Sequence, residues 1–249
     1  MNLDFLEDIS EADTIEEIWS SLTEGMKEYG FDRLLYAYTR FRFGASLGDP
    51  LDSIVLSSHD SEYTEGYISE GHYSNGPMLR WSVENDGACS WSWLESIPDV
   101  SLTEGERKAL AFNREHNVIA GYTIGFKTDS VRNRGGIGLT AAPGITQAQV
   151  DATWERHGRE ILVMNNMAHL KIISLPYSSS RRALTARQRE VLEWVGEGKT
   201  MQDIATIMGL TSATVEKHLR LAREALDVDT TAQAVLKASF QNQIFILET

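Results

Sequence analysis

Residues Leu184–Leu236 read LTARQREVLEWVGEGKTMQDIATIMGLTSATVEKHLRLAREALDVDTTAQAVL. Thr185 followed by Gln188 is a capping pair, in which side chains satisfy backbone N–H groups left unpaired where a helix starts. Val191, Leu192 and Val195 give that helix an apolar face, and Gly196 to Gly198 end it. Thr200 opens a second helix, whose buried side is predicted to be Ile204, Ala205, Ile207 and Met208. Gly209 and Leu210 turn the chain, and Thr211 or Ser212 opens a third helix. This one buries Val215, Leu219, Ala222 and Leu226, a single stripe at helical spacing. Two helices meeting at a glycine-containing turn of three or four residues form a helix-turn-helix unit. A fourth helix follows.

The other side of the third helix carries Ser212, Thr214, Lys217, His218, Arg220 and Arg223, with Thr200 and Thr211 at the preceding helix starts. Hydroxyls and cations without bulky apolar groups suit the phosphates and base edges of double-stranded DNA. An ordinary solvated helix face would show the same spacing. The wording of the sequence separates the two readings. LTARQREVL, GKTMQDIA and LTSATVEKHL closely resemble the helix-turn-helix domain of LuxR-type transcription regulators, and the match continues through Leu226, Val228 and Ala234–Val235. Gln188 stands where that family most often has Glu, and either residue caps. Thr231 stands where Arg is common, which implies one phosphate contact fewer.

Charge is divided along the chain. The net charge is −13, yet from Arg181 onward Lys/Arg and Asp/Glu balance, so the acid excess lies before it. Phosphate attraction per copy is then modest, and a homodimer reading two half-sites compensates. The chain has room for two domains. No apolar run approaches a membrane span, and the acidic start MNLDFLEDISEAD is unlike a signal peptide, so no membrane partner and a cytoplasmic location are expected. A single cysteine, Cys89, excludes an internal disulfide and a cysteine-rich metal site, and the histidines show no metal-ligand spacing. No metal and no cofactor are expected.

The stretch SLPYSSSRR, Ser174–Arg182, has a proline and serines without apolar periodicity, as a linker does. The expected organisation is a sensing and dimerising domain over residues 1–173, a linker over 174–183 and the DNA-binding domain over 184–249. Upstream of the linker, Thr146–Ile173 reads as one long helix opened by the capping pair Thr146 and Gln149, and it is the expected dimer seam. Ile15–Tyr29 reads as a helix, Leu34–Phe43 as a half-buried strand and Ser53–Ser57 as a second strand. Glu62–Glu70 and Pro77–Val83 read as short helices, Ala88–Leu94 as an extended piece, and Thr103 with Glu106 opens a helix to Glu115. Ala120–Phe126 and Gly136–Ala141 read as a hairpin near the end of a mixed sheet. The fold class is therefore α+β: an N-terminal α/β/α sandwich sensor domain, with a pocket between sheet and helices, plus a C-terminal all-α four-helix helix-turn-helix domain.

Within that first domain His59, Tyr63, Tyr67, Trp81, Trp91 and Trp93 crowd one region. Singly, each is best read as core or surface. Their order again resembles the LuxR family, whose first domain typically binds acyl-homoserine lactones, with Tyr67, Pro77, Trp91 and Gly121 at matching positions. The resemblance implies a small-molecule effector held by His59, Tyr63, Tyr67 and Trp91, with Thr140 as a further pocket residue. Three departures stand out. Tyr63 replaces the tryptophan that bonds the lactone carbonyl, His59 replaces a tyrosine, and Gly76 replaces the aspartate that accepts the ligand's amide N–H. With Gly76 there is no acceptor side chain unless Asn75 or a water substitutes. The effector is then an acyl-homoserine lactone in an adjusted pose or a different small molecule, or the chain is an orphan regulator that dimerises and binds DNA without a ligand.

Enzyme chemistry is the remaining class. Gly44-Ala-Ser46-Leu-Gly48 fits the G-x-S-x-G pattern of a hydrolase nucleophile elbow. That elbow must lead straight into a helix, whereas Asp49-Pro50 is a turn signal, so a plain loop is preferred. Cys89 has no identifiable base and reads as a small buried residue. No enzyme activity is expected.

Overall fold

The computed structural model describes residues 3–42, 49–128, 130–177 and 182–245. The chain divides into two compact units, Met1–Ile173 and Ser174–Thr249. The first contains α1 (Leu3–Glu11), α2 (Ile15–Lys27), β1 (Phe31–Thr39), β2 (Ile54–Ser57), α3 (Ser61–Ser69), α4 (His72–Asn75), α5 (Pro77–Glu84), β3 (Gly87–Ser90), α6 (Glu104–Glu115), β4 (Gly121–Gly125), β5 (Arg134–Ala141) and α7 (Gln147–Ser174). The second contains α8 (Ala186–Gly196), α9 (Met201–Met208), α10 (Ser212–Leu226) and α11 (Thr231–Phe240).

The strands lie in the order β2-β1-β5-β4-β3. Every pairing among the described residues is antiparallel, so the sheet is not mixed as the sequence pattern led us to expect. Alternating apolar strands interspersed with helices do not reveal direction, and here each neighbouring strand is entered from the opposite end. The β4–β5 hairpin forms, with Ile124 opposite Ile137 and Thr123 opposite Gly138. The first strand starts earlier than the alternation indicated and ends at Thr39, while Phe43 lies outside the described residues. The extended piece ends at Ser90, whose hydroxyl accepts from Ser92 N and tightens Trp91–Ser96 into a 3₁₀ turn. Helices α1 and α4 were not anticipated. The acidic surface of α1 hides a two-residue apolar contact, Phe5 and Ile9.

Pleating puts two chemistries on the two faces of the sheet. Tyr36, Tyr122, Ile124, Ile137 and Leu139 share one face by register and alternation. Against it lies α7, which buries Val150, Ile161, Met164, Ala168 and Ile172. Trp154 stacks on Tyr122 at 4.0 Å and His169 on Phe126 at 3.9 Å. The Tyr36 hydroxyl lies 2.9 Å from His169 Nδ1. Thr146 and Gln149 form the expected bonds at the start of α7. The opposite face carries Leu35, Ala37, Thr123, Gly136, Gly138 and Thr140, under α3 to α6.

In the second unit Leu184, Val191, Leu192, Ile204, Val215, Leu219, Ala222 and Leu226 close one core with Ala234, Ala238 and Ile244. Capping boxes at Thr185–Gln188, Thr200–Asp203 and Thr230–Gln233 set the starts of α8, α9 and α11. Gly209, in the left-handed region at φ 64°, ends α9. Ile207, expected in the core, is 47% exposed, because α9 needs only Ile204 and Ala205 to meet α8 and α10. At the unit's edge Tyr177 N donates to Gln241 O, and Asn242 Nδ2 donates to Leu175 O.

Buried His169 gives the first unit a pH dependence. Burial, then the charge of Arg40, push its pKa down to about 4 from the ordinary 6.5. Between these values the unfolded chain binds the proton and the folded one does not, so stability falls as pH drops from 6.5 toward 4. The expected loss is up to about 3 kcal/mol. Thermal melts of the native protein and of His169→Gln across that window check it, and the variant's curve is expected to be flatter.

Candidate functional site

A cavity of about 450 Å³ opens between the bare face of the sheet and the α3–α6 side. Its floor is open because the β4–β5 hairpin alternates small and large residues. Gly136, Gly138 and Thr140 look into the cavity while Ile137 and Leu139 look away. The Trp91 ring lies across this floor. A Cβ on Gly121 would sit 3.1 Å from that ring, and one on Gly138 would sit 3.9 Å from it. Trp91 Nε1 donates to Thr123 Oγ1 at 2.9 Å, which fixes the indole plane and satisfies its N–H.

The wall is a ladder of rings at four-residue spacing. His59 stacks on Tyr63 at 4.3 Å, and Tyr63 on Tyr67 at 5.2 Å with 15° between planes. Asp60 caps α3, its side chain accepting from Tyr63 N at 2.7 Å. Helix α6 braces the ladder. The Tyr63 hydroxyl donates to Asn113 Oδ1 at 3.0 Å, and Phe112 packs against both tyrosines. Gly66 permits that approach, since a Cβ there would lie 2.9 Å from the Phe112 ring.

The interior is neutral. Burial and the nearby positive charge of Arg33 push His59 down to about 4, so the imidazole is uncharged at neutral pH. Burial pushes the Tyr67 phenol up to about 12 and that of Tyr63 well above its usual value. The charged groups of the lining, Glu95, Asp99 and Arg114, are exposed at its mouth. Such a space suits an uncharged molecule with a substantial apolar part.

His59, Tyr63, Tyr67, Trp91 and Thr140 all line this one cavity. Trp81 and Trp93, grouped with them by sequence proximity, do not line it. Asn75, the suggested substitute acceptor, is exposed and turns its amide to Gly71 O at 2.9 Å. Asn113, Thr123 and the glycine floor were missed. Only the small–large alternation of GYTIG and GIGLT could have signalled the floor. Ser46 lies outside the described residues. Burial raises the Cys89 thiol pKa, and its Sγ donates to Ser90 O, which leaves a poor nucleophile.

In the second unit α9, the turn Gly209–Thr211 and α10 form the helix-turn-helix. Thr200 and Thr211 are caps. Thr200 Oγ1 donates to Asp203 Oδ2 at 2.6 Å, and the Thr211 and Thr214 hydroxyls pair at 2.9 Å. Ser212, Lys217 and Arg220 are exposed, and His218 is half-buried. Lys217 has no ion-pair partner among the described residues, whereas Arg220 pairs with Glu224 one turn on. Arg223 is bonded to Glu216 at 3.1 Å and to Thr231 Oγ1 at 2.9 Å, tying α10 to α11.

An α/β/α unit enclosing a neutral cavity, followed by a helix-turn-helix, defines a class of ligand-responsive DNA-binding regulators. Comparison with known proteins gives the same answer. The autoinducer binding domain matches residues 14–172, and the domain of bacterial regulatory proteins of the luxR family matches residues 182–238. The chain belongs to the LuxR-type family of quorum-sensing transcription regulators, which are not enzymes. The transcriptional activator protein EchR of Dickeya chrysanthemi is 26% identical over 81% of this chain and 80% of its own. In fold the chain is similar to SdiA in complex with octanoyl-rac-glycerol, at 16% identity and TM-score 0.53 over 96% of this chain and 93% of that one. It is also similar to the N-acylhomoserine lactone dependent factor CepR2 of Burkholderia cenocepacia, at 16% identity and TM-score 0.54 over 69% and 93%.

Thr123→Val is expected to strand the Trp91 N–H and cost about 1–3 kcal/mol. Urea denaturation with the fluorescence of the native protein as reference measures it.

Proposed function

We propose that residues 1–173 sense a small neutral molecule and pair with a second copy, and that residues 184–249 then bind double-stranded DNA as a homodimer in the cytoplasm, with 174–183 as the link. The observation that carries the effector reading is the cavity itself, walled by His59, Tyr63, Tyr67 and Trp91 and free of interior charge. An acyl chain fits its apolar floor. The effector is an acyl-homoserine lactone or a related acyl compound, in keeping with the ligands for which CepR2 and SdiA are described. No cofactor enters this reading. Purified from a host that makes no lactones, the protein is expected to melt higher and shift DNA more strongly when such a compound is added. Full DNA binding with no response to any acyl compound would instead establish a ligand-independent regulator.

Pairing is assigned to α7, whose Val163, Met167 and Leu170 form an exposed apolar stripe at helical spacing. Replacing Met167 and Leu170 together by Glu is expected to convert dimer to monomer in sedimentation, with the first unit still folded. Two copies place their α10 helices about one DNA turn (~34 Å) apart on a roughly palindromic site.

On the DNA side Thr200, Thr211, Ser212, Thr214, Lys217, His218, Arg220 and Arg223 remain our contact set, with unequal roles. Lys217 is free to reach a phosphate or base edge, and Arg220 must leave Glu224 to do so. Joint replacement of Lys217 and Arg220 by Ala is expected to cost about 1–3 kcal/mol per base contact in promoter affinity, read by gel shift. Arg223→Ala is expected to lower the melting temperature of the second unit as well, a change the double variant lacks.

A further inference from the structure

The floor of the cavity and the start of α7 are tied together through Ser90. This residue ends β3 and is followed at once by Trp91, whose ring lies across the floor. The Ser90 hydroxyl donates to Asp151 Oδ1 at 2.7 Å and accepts from Gln147 Nε2 at 3.0 Å. Asp151 Oδ1 also accepts from Gln147 Nε2, at 3.0 Å. Gln147 and Asp151 stand one turn apart at the beginning of α7, so a single hydroxyl joins the residue before Trp91 to that helix.

A second tie runs through Gly121. Its N–H donates to Gln147 Oε1 at 2.9 Å, and Gln147 Nε2 donates to its carbonyl at 3.1 Å. The side-chain amide thus pairs with β4 as a residue of a neighbouring strand would. It does so one position past the Ser90–Tyr122 pair, where β3 has given way to the 3₁₀ turn. The Trp91 ring lies against that same glycine, since a Cβ there would sit 3.1 Å from it. Gln147 therefore holds both the residue before Trp91 and the residue its ring rests on. Further along α7, Trp154 stacks on Tyr122, whose hydroxyl is bonded to Asp151; burial first, then that bond, push the phenol up to about 12.

We infer that Gln147, with Ser90 and Asp151, is the positioning element that couples the Trp91 floor of the cavity to the first two turns of α7. A displacement of Trp91 reaches Ser90 along the chain and Gly121 by contact, and both meet at one carboxamide. Hydrogen bonds that share atoms in this way respond together. Use of the coupling by a ligand rests on the cavity being the effector site. A molecule lying on Trp91 would favour the arrangement of the cluster that it contacts, and with it one placement of the helix to which pairing is assigned.

Hydrogen exchange of the full chain, comparing residues 147–154 with 161–172, tests the coupling through a double-mutant cycle. Trp91→Phe is expected to speed exchange over 147–154 about tenfold and to leave 161–172 within about twofold of native. Gln147→Leu is expected to do the same, and the double variant to be no faster than the faster single one. Ser90→Ala, run in parallel, takes the place of Gln147→Leu if that variant does not fold. Single effects that multiply to about a hundredfold, as a merely structural Gln147 would give, overturn the inference. Unchanged exchange over 147–154 in Trp91→Phe, or loosening spread equally along α7, also overturns it. In a second arm N-octanoyl-homoserine lactone is expected to slow exchange over 147–154 in the native chain. In Gln147→Leu it is expected to raise the melting temperature without that slowing, and equal slowing in both proteins overturns the coupling. A lactone that changes neither melting nor exchange counts against the effector reading alone, because the substitutions decide the coupling without it.

Discussion

The first unit depends on one constraint, the segregation of side-chain size between the two faces of the β4–β5 hairpin. Tyr122, Ile124, Ile137 and Leu139 point toward α7, and glycines or threonines point away. The large face lets α7 dock through stacked rings and the Tyr36–His169 bond. The small face leaves the sheet bare, and a sheet bare on one side cannot be covered by direct helix packing without a void. The helices on that side stand off, held by ring-to-ring and ring-to-amide contacts, and the void between them is the cavity. Dense packing on one face and an open binding space on the other are two consequences of one pattern.

Support for the cavity comes from outside it. The ladder His59–Tyr63–Tyr67 is positioned by Asp60 capping α3 and by Phe112 and Asn113 on α6, which touches Tyr63 both by packing and by hydrogen bond. Trp91 is held by Thr123 from the sheet. Ligand recognition in such a site is a matter of which polar groups remain unpaired once the wall has satisfied itself. On the proposed reading, bound ligand would bridge wall and floor, and would act on the second unit by favouring one arrangement of the proposed dimer or by stabilising the folded sensor.

In the second unit, several polar side chains of the proposed DNA face are already engaged in holding the fold. Thr200, Thr211 and Thr214 are committed to helix starts, and Arg223 to Glu216 and Thr231. The position where the family commonly has Arg is here Thr231, and its hydroxyl receives Arg223. Lys217 carries the least encumbered charge on α10.

Local signals were the legible ones. Capping pairs, the 3.6-residue stripe of α10 and the turn at Gly209 act over a few residues, so the sequence alone determined the helix-turn-helix, the start of α7 and most strand positions. It also identified five residues that meet in one cavity, although that rested on resemblance and not on periodicity. Strand direction, the exposure of Ile207, the separation of Trp81 and Trp93 from the cavity, and the roles of Asn113 and Thr123 were decided only by tertiary structure. Each depends on which distant segment arrives opposite a residue. Gly76 shows the division most plainly: the sequence revealed a missing side chain, and only the fold revealed that the space belongs to the hydroxyl of Tyr67.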